Sequence, residues 1–290
     1  MRRVVLLAFV WGWSFLFIKV SVEGFTPFTV AATRMALGCL ALVVIGRLAG
    51  IGPLPRDAAY WRAVAFAGIV GTAVPFTLLA WGEERISSAL TAVAQATTAL
   101  FTALFAALLL GERLRRAQMA GLAVGMVGVG VAAGVGSGDL TASSAAGVLA
   151  AMAAGAAYGA TYVHMQRRLL HVAPMVAATG QLLVGTVVLA PFALVTSLVS
   201  GIDPTPARVG SLVVLGVVNT GIAYWLNYGA IAEVGATSAS LVTYLIPPVA
   251  IVAGWLVLDE PVGWRLIAGL ALIIGGVAAV RRSPQRQRVG

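Results

Sequence analysis

Polar side chains recur at helical spacing inside the long apolar run between residues 219 and 248. Thr220, Tyr224 and Asn227 stand at i, i+4 and i+7, which puts all three on one face of a helix. A side-chain amide is costly among lipid tails unless it finds a partner. Asn227 therefore bonds a neighbouring helix or contacts a solute, and the tyrosine one turn away favours the solute.

A second polar stripe lies in the apolar run between residues 86 and 110. Thr91, Gln95, Thr98 and Thr102 stand at i, i+4, i+7 and i+11, so they also share one helical face. At about 1.5 Å per residue the stripe extends over roughly 16 Å, about half the hydrocarbon thickness. Threonine hydroxyls can bond to their own helix, which favours a packing role. Gln95 either faces a cavity or bonds a neighbouring helix.

Aromatic side chains near the middle of two other apolar runs could form the walls of a binding pocket. The two runs match position for position, with Trp11, Ser14 and Phe15 in the first and Tyr158, Thr161 and Tyr162 in the second. Such stripes are common in helix cores, but tryptophan and tyrosine usually gather at the membrane interfaces. Their positions near the middle of the runs favour a cavity. An aromatic pocket with few polar groups suits a small, partly apolar organic solute.

The elements that must position these residues are membrane-spanning helices. The 290-residue chain is 60% hydrophobic and only 10% charged, whereas soluble domains average about 25% charged residues. A helix that crosses a bilayer needs about 20 mostly apolar residues. The sequence predicts an all-α integral membrane protein with ten spans, at 4–22, 27–47, 60–82, 86–110, 116–135, 145–166, 173–199, 208–230, 236–258 and 263–281.

Basic residues concentrate on one side of the predicted membrane. Fourteen of the 19 lysines and arginines lie near the chain ends or in loops that share the side of the N-terminus. This bias predicts a multi-pass protein of the cell inner membrane with both termini in the cytoplasm. It also explains the net charge of +9 without a nucleic-acid partner, because the sequence has no soluble module with a basic face.

The sequence repeats itself at an offset of 147 to 148 residues. It predicts a first five-helix unit at 1–135, an outer connecting loop at 136–144, a second unit at 145–281 and a basic cytoplasmic tail at 282–290. Because five is odd, the two units are inverted in the membrane. Inverted repeats occur in secondary transporters, in which similar halves exchange conformations around a midplane site. The offset pairs Thr72 with Thr220, Phe76 with Tyr224, Leu79 with Asn227, Gln95 with Thr243 and Ala96 with Tyr244.

Short motifs recur along the chain, and several are present in both units. They are Trp11-Gly12-Trp13-Ser14, Pro27 with Arg34, Leu110-Gly111-Glu112-Arg113 followed by Gly121, Pro247-Pro248, and Leu258-Asp259-Glu260-Pro261 followed by Gly269. On these motifs the whole chain resembles the drug/metabolite transporter superfamily, in particular its EamA-type ten-helix exporters. The resemblance implies ten helices around a central cavity and the export of small metabolites. One branch of these exporters carries amino acids, including aromatic ones.

We expect a secondary transporter that exports small organic metabolites, above all apolar or aromatic amino acids, by alternating access. We expect substrate contacts from Trp11, Ser14, Phe76, Leu79, Gln95, Tyr158, Tyr162, Tyr224, Asn227 and Tyr244, and flexible points at Gly12, Pro75 and Pro247. No cofactor, metal or catalytic group is expected. The expected partners are a small-molecule substrate and membrane lipids, and one copy of the chain suffices for transport.

Other functions remain open on the sequence alone. A carrier of drugs, nucleosides or other metabolites would have the same fold, and a channel or lipid scramblase is a weaker alternative. An intramembrane enzyme would need a nucleophile with a base, or metal ligands, at membrane depth. The chain has two isolated histidines, one cysteine and no carboxylate in the middle of a span, which argues against an enzyme.

Three ionisable side chains near the outer ends of spans have several interpretations. Arg34 neutralises an acid such as Glu23, meets helix carbonyls or attracts a substrate carboxylate. Lys19 is expected to extend its amine to the outer interface, and Glu83 is assigned to the outer end of its span. Since the chain has neither a carboxylate in mid-span nor a P-loop, we expect facilitated diffusion, exchange or coupling by another route.

Overall fold

The computed structural model describes residues 2–110, 116–138, 140–234 and 242–281. Seven helices are continuous: α1 Arg2–Val22, α2 Pro27–Leu48, α5 Arg116–Ala132, α6 Ala142–Arg168, α7 Pro174–Ser200, α9 Val242–Leu258 and α10 Trp264–Arg281. The other three are composite: α3 comprises Ala58–Gly68, Ile69–Ala73 and Val74–Glu83, α4 comprises Ser88–Gln95 and Thr98–Leu110, and α8 comprises Pro206–Gly216, Val217–Ile222 and Ala223–Val234.

The predicted all-α membrane fold is confirmed within the described ranges. Seven of the helices are long and apolar enough to cross a membrane, and α5, α9 and α10 are shorter apolar helices. The ten helices correspond one to one with the ten predicted spans. Where the flanking residues are described, the helices differ from those spans by a few residues, because turn and capping residues decide the boundary. Residues 111–115, 235–241 and 282–290, which include the start of the ninth predicted span and the predicted tail, lie outside the described residues.

Hydroxyl and carboxylate side chains begin five of the helices. Each precedes the helix in an extended conformation and accepts a hydrogen bond from the backbone N–H three residues later, at Thr26, Asp57, Ser87, Thr141 and Thr205. Such caps satisfy N–H groups that have no partner inside the helix. The N–H groups of Tyr60 and Ala59 also lower the pKa of the Asp57 carboxyl, which lies in the loop before α3.

Helices α3 and α8 carry π-helical turns at equivalent places in the two repeats. The first turn covers Ile69–Ala73 and the second covers Val217–Ile222, so their starts are 148 residues apart. Pro75 follows the first turn and has no N–H to bond the carbonyl of Gly71. The second turn forms with Ala223 at the matching position, so the proline alone does not explain the turns.

Helices of the two repeats pack against one another in equivalent pairs. Helix α2 packs along α7 and against the π turn of α8, and α7 in turn packs against the π turn of α3. Helix α1 packs against α9, and α6 packs against α4. Exchanging the repeats maps each of these pairs onto an observed pair. The helices therefore form two equivalent five-helix units, and an odd number of crossings makes the units inverted.

Glycines allow the backbones to meet where the repeats cross. A Cβ on Gly38 would lie 3.0 Å from backbone atoms at the π turn of α8, and a Cβ on Gly185 would lie 3.1 Å from the carbonyl oxygen of Gly68 in α3. Helices α5 and α10 meet in the same way, because a Cβ on Gly269 would lie 2.5 Å from the carbonyl oxygen of Gly128. Small residues serve this purpose in membranes, where lipid and side chains are equally apolar.

Buried apolar side chains form two large cores. Core A, formed mainly by α2, α3, α7 and α8, includes Met35 and Leu182. Core B, formed mainly by α4, α9, α10 and the first half of α6, includes Val93 and Ile273. Trp11 and Tyr158, which the sequence repeat pairs with each other, pack against both cores. Their position between the cores makes them part of the boundary between two packed bodies.

Two charged residues near the end of α3 differ from the sequence expectations. Lys19 does not simply extend to the interface, because its amine donates hydrogen bonds to the carbonyls of Glu83 (2.5 Å) and Ile86 (3.0 Å). The ammonium thereby neutralises the negative end of the helix dipole. Glu83 is fully buried, and its carboxylate has no hydrogen-bond partner within the part of the chain that the structure describes.

Glu260 joins the α9–α10 loop to the start of α4. Its carboxylate accepts hydrogen bonds from the Ser88 N–H (2.7 Å), the Ser88 hydroxyl (2.9 Å) and the Ala89 N–H (3.1 Å). A Cβ on Gly254 would lie 2.6 Å from Glu260 Oε2, so glycine leaves the room for this carboxylate. A carboxylate at a helix N-terminus is also favoured by the helix dipole.

Replacing Glu260 with alanine should destabilise the protein, because two N–H groups at the start of α4 lose their acceptor. We expect a loss of about 1–3 kcal/mol, measured as a lower midpoint of thermal unfolding in detergent, with a smaller loss for Glu260→Gln. The control is Glu84→Ala, which removes only a partly exposed pair with Arg85. Equal midpoints for Glu260→Ala and Glu84→Ala would contradict this role.

A Gly269→Ala substitution should weaken the contact between α5 and α10, since the new methyl group would collide with the backbone of Gly128. The expected result is a lower unfolding temperature and more aggregation on size-exclusion chromatography. Gly210→Ala is the matched control, because Gly210 lies in α8 with no atom within 4 Å of the added Cβ. That substitution should raise stability slightly through helix propensity. If both substitutions raise stability, α5 and α10 are not held by close backbone contact.

Candidate functional site

A central cavity lies between the two repeats. Its empty volume, which includes open solvent at its mouth, is about 650 Å³. Residues from α1, α2, α3, α4, α6, α7, α8 and α9 form its surface: Trp11, Ser14, Phe15, Ile18, Arg34, Gly71, Phe76, Leu79, Gln95, Thr98, Tyr158, Thr161, Tyr162, Met165, Gln181, Tyr224, Asn227, Thr243 and Ile246.

The cavity brings together nine of the ten residues that the sequence suggests as substrate contacts. The exception is Tyr244, which lies beside Leu100 instead. Its neighbour Thr243 lines the cavity, and successive helical residues point about 100° apart. Gln181 and Thr243 also line the cavity and were not among the expected contacts, although the repeat pairs them with Arg34 and Gln95. Substrate contact by the nine residues stays a prediction.

One wall of the cavity is a row of contacting rings. The ring of Tyr224 meets the rings of Trp11 and Phe76 edge to face, with centroids 6.0 Å apart in both pairs. The guanidinium of Arg34 lies over the Phe76 ring, 3.7 Å from its centroid. Edge-to-face contacts fix the ring orientations, so this wall is a preformed surface.

The π turns orient two of these aromatic side chains. The Tyr224 hydroxyl donates a hydrogen bond to the carbonyl of Gly71 (3.2 Å), to which Pro75 offers no N–H. The Trp11 indole N–H donates to the carbonyl of Asn219 (3.1 Å). Gly71 and Asn219 are equivalent in the repeat, and each donor comes from the opposite repeat. Each half therefore positions an aromatic contact of the other.

Several polar groups in the cavity are satisfied by neighbouring helices. The Tyr162 hydroxyl donates to Asn227 Oδ1 (3.4 Å), and the Tyr228 hydroxyl donates to Gln181 Oε1 (2.5 Å). Asn227 thus makes an interhelical bond and also lines the cavity. In α4 the Thr98 hydroxyl donates to the carbonyl of Gln95 (2.7 Å), as expected for threonines within an apolar helix.

Two buried acceptors at the cavity have no such partner. Within the described ranges, neither the Ser14 hydroxyl oxygen nor Gln95 Oε1 makes a hydrogen bond, although both atoms are buried. An unsatisfied buried polar group costs about 1–3 kcal/mol. These atoms are therefore able to gain free energy from a ligand that offers hydrogen-bond donors.

Arg34 places a positive charge at the edge of the same cavity. Its Nε–H donates to the Thr220 hydroxyl (3.0 Å), and no described carboxylate lies within 4.0 Å of its guanidinium. A pairing with Glu23 is wrong, because Glu23 pairs with Arg208 (3.5 Å). Of the described carboxylates, that of the buried Glu83 acts on Arg34 electrostatically without forming an ion pair with it. Arg34 is the one charged residue among those that line the cavity.

The three residues predicted to be flexible points lie close to helix contacts. A Cβ on Gly12 would lie 2.4 Å from Val249 Cβ, so glycine lets α1 approach α9. Pro75 follows the π turn of α3, and Pro247 lies inside α9, which continues as a helix on both sides. Movement at these positions remains a prediction.

Two interlocking, equivalent units that enclose a central cavity are the arrangement of a membrane carrier. The sequence pattern of the EamA-like transporter family matches the chain twice, at residues 3–133 and 145–282. The two matches cover one five-helix unit each. The chain therefore belongs to the EamA-like transporter family and is a multi-pass membrane transporter.

Similar proteins extend along nearly the whole chain. A protein described as a "probable terminal-alkyne amino-acid exporter" from Streptantibioticus cattleyicolor is 30% identical, over 96% of this chain and 92% of its own. An uncharacterized transporter from Archaeoglobus fulgidus is 26% identical over 97% and 99%, respectively. One solved crystal structure, 21% identical, matches with a TM-score of 0.68 over 96% of this chain and 97% of its own. At that identity the structure shows a shared fold.

Removing either aromatic donor should destabilise the protein to a similar extent, since each removes one hydrogen bond to a π-turn carbonyl. We expect Trp11→Phe and Tyr224→Phe each to lose about 0.5–1.5 kcal/mol, measured by thermal unfolding in detergent. Trp264→Phe is the control, because Trp264 is 72% exposed on α10. If Trp264→Phe lowers the midpoint as much as the other two, the bonds to the π turns are not what stabilises α3 and α8.

Proposed function

We propose that this protein is a secondary transporter that exports amino acids with aromatic or other apolar side chains. The observation that carries the proposal is the central cavity, which is lined by an aromatic wall together with hydroxyl, amide and guanidinium groups. Such a surface suits a solute with one apolar part and one strongly polar part. The 30% identical relative from Streptantibioticus cattleyicolor, described as a probable terminal-alkyne amino-acid exporter, supports an amino acid as the substrate.

Alternating access is the mechanism we propose for export. The cavity lies where cores A and B meet, and Trp11 and Tyr158 contact both cores. Because the two units are equivalent and inverted, exchanging their conformations would close one side of the cavity and open the other. A change in the angle between the cores would then carry the substrate across without a continuous pore.

We also propose an orientation in the cell inner membrane with both termini in the cytoplasm. The support is the concentration of arginines at the chain ends and in the loops on their side. In this orientation the Lys19, Glu83 and Glu260 region lies on the outer side. One copy of the chain contains the whole cavity, so a monomer suffices for transport.

The proposal is tested by counterflow in proteoliposomes preloaded with L-phenylalanine or L-leucine. We expect saturable, counterflow-stimulated flux, reduced roughly tenfold or more in Gln95→Ala and Asn227→Ala because each removes a cavity hydrogen-bonding group. Thr186→Ala is the control, since its hydroxyl bonds to the Leu182 carbonyl of its own helix and does not line the cavity.

Competing substrates decide whether the proposal holds. Inhibition of phenylalanine flux by excess leucine, and not by nucleosides or cationic drugs, supports an amino-acid carrier. Saturable flux of a nucleoside or drug in place of amino acids would contradict it, and unsaturable flux would indicate a channel. Equal flux in the wild type, Gln95→Ala and Asn227→Ala, with normal folding, would remove these residues from the site.

A further inference from the structure

We propose that the cavity recognises both charged ends of a free amino acid, through side chains on different helices. Arg34 binds the α-carboxylate, and Ser14 and Gln95 bind the α-ammonium group. The inference rests on the proposed function and makes it more specific. It assigns the substrate class as α-amino acids with a free amine and a free acid, as opposed to amines, esters or plain carboxylic acids.

The assignment of the substrate carboxylate to Arg34 follows from the burial and hydrogen bonding of that side chain. The side chain is 3% exposed, and only its Nε–H makes a hydrogen bond to a described residue. A guanidinium has five N–H donors in a planar fork that matches a carboxylate. Its contact with the Phe76 ring holds that fork in a fixed orientation. A buried cation without a paired carboxylate is costly, and a bound anionic group would offset that cost.

The assignment of the substrate ammonium group to Ser14 and Gln95 follows from their two unsatisfied oxygen atoms. Ser14 Oγ and Gln95 Oε1 are both buried, and neither has a partner within the described ranges. An ammonium group offers three donors and no acceptor, which is the complement of two unused oxygens. Hydrogen bonds to a charged donor are stronger than those to a neutral one, so a protonated amine gains more here than a hydroxyl would.

The two groups of residues approach the cavity from different bodies. Arg34 lies on α2, which packs with α7 and α8 in core A, whereas Gln95 lies on α4, which packs with α6 and α9 in core B. Ser14 lies on α1, beside Phe15 of core B. An amino acid held at both ends would therefore connect the two bodies. A ligand with only one charged end would leave the groups of one body unpaired.

The aromatic wall accounts for the side chain of the substrate. Trp11, Phe76 and Tyr224 form a continuous ring surface next to Arg34. With the carboxylate on Arg34, the apolar side chain of the same molecule can lie along these rings. Selectivity among amino acids would then be weak in this pocket, because apolar contacts differ by only about 1–3 kcal/mol per methylene, whereas loss of a required polar group costs far more.

The experiment compares three ligands that share one side chain. L-Phenylalanine has both charged ends, phenylalanine methyl ester lacks the carboxylate and 3-phenylpropionate lacks the amine. Affinities are measured by ligand-induced thermal stabilisation in detergent and by competition against phenylalanine counterflow. The wild type should bind phenylalanine at least tenfold more tightly than either analogue, because each analogue leaves one buried polar set unpaired.

The variants should change this preference at one end only. Arg34→Gln should weaken phenylalanine binding roughly 10- to 100-fold and leave the affinity for the methyl ester unchanged, so that the two ligands bind with similar affinity. Gln95→Leu should abolish the preference for phenylalanine over 3-phenylpropionate and keep the preference over the ester. Arg62→Gln is the control, because Arg62 is exposed and bonds to the Ala58 carbonyl of its own helix.

Specific results would overturn the inference. If Arg34→Gln does not fold, the wild-type ligand series and Arg34→Lys decide the matter, because Arg34→Lys keeps the charge and should keep the preference for the free acid. A uniform loss of all three ligands in Arg34→Gln would mean that Arg34 only shapes the cavity. If the wild type transports phenylalanine but discriminates against neither analogue, this inference fails and the proposed function stands. If it transports no amino acid, the proposed function fails.

Discussion

Close backbone contact between the two repeats is the constraint on which the rest of the structure depends. Inside lipid, apolar side chains gain little by leaving their surroundings, so helices associate through tight packing and hydrogen bonds. Gly38 and Gly185 provide that packing, because each meets a π turn of the opposite repeat with no room for a side chain. A π turn widens the helix locally and exposes carbonyls. The same contacts therefore join the halves and present the acceptors that Trp11 and Tyr224 use.

The site is shared between the repeats as a result. Trp11 is oriented by α8, and Tyr224 is oriented by α3, so neither half could form the aromatic wall alone. The division into cores A and B runs across the repeats as well, since each core contains helices from both. Helices α1, α3 and α6 contribute buried residues to both cores. A movement of one core against the other would therefore bend these helices and change the cavity, while the glycine contacts inside each core persist. The division into two cores is therefore compatible with the alternating access that we propose.

The sequence predicts the parts of the structure that depend on periodicity and duplication. The ten apolar runs predict the ten helices, and the repeat offset predicts that the two units are equivalent. Helical spacing places Gln95 and Asn227 at the cavity. Contacts between distant segments leave no such signal. The carbonyls that Lys19 binds and the burial of Glu83 depend on how α1 meets the end of α3. Helical spacing alone does not fix the rotation of α9 about its axis. A rotation by one residue decides whether Thr243 or Tyr244 faces the cavity, and the prediction that Tyr244 lines the cavity was wrong for that reason.

Departures from the repeat give the cavity its polarity. A perfectly symmetric carrier would present equivalent groups on both walls, and a substrate with two unlike ends would bind it equally well in two orientations. Arg34 is matched by the neutral Gln181, and Asn227 is matched by Leu79. The charge therefore lies on one wall only. Since a buried cation favours a negative partner over any neutral one, the proposed binding of a carboxylate at Arg34 would give the substrate a single orientation in the cavity.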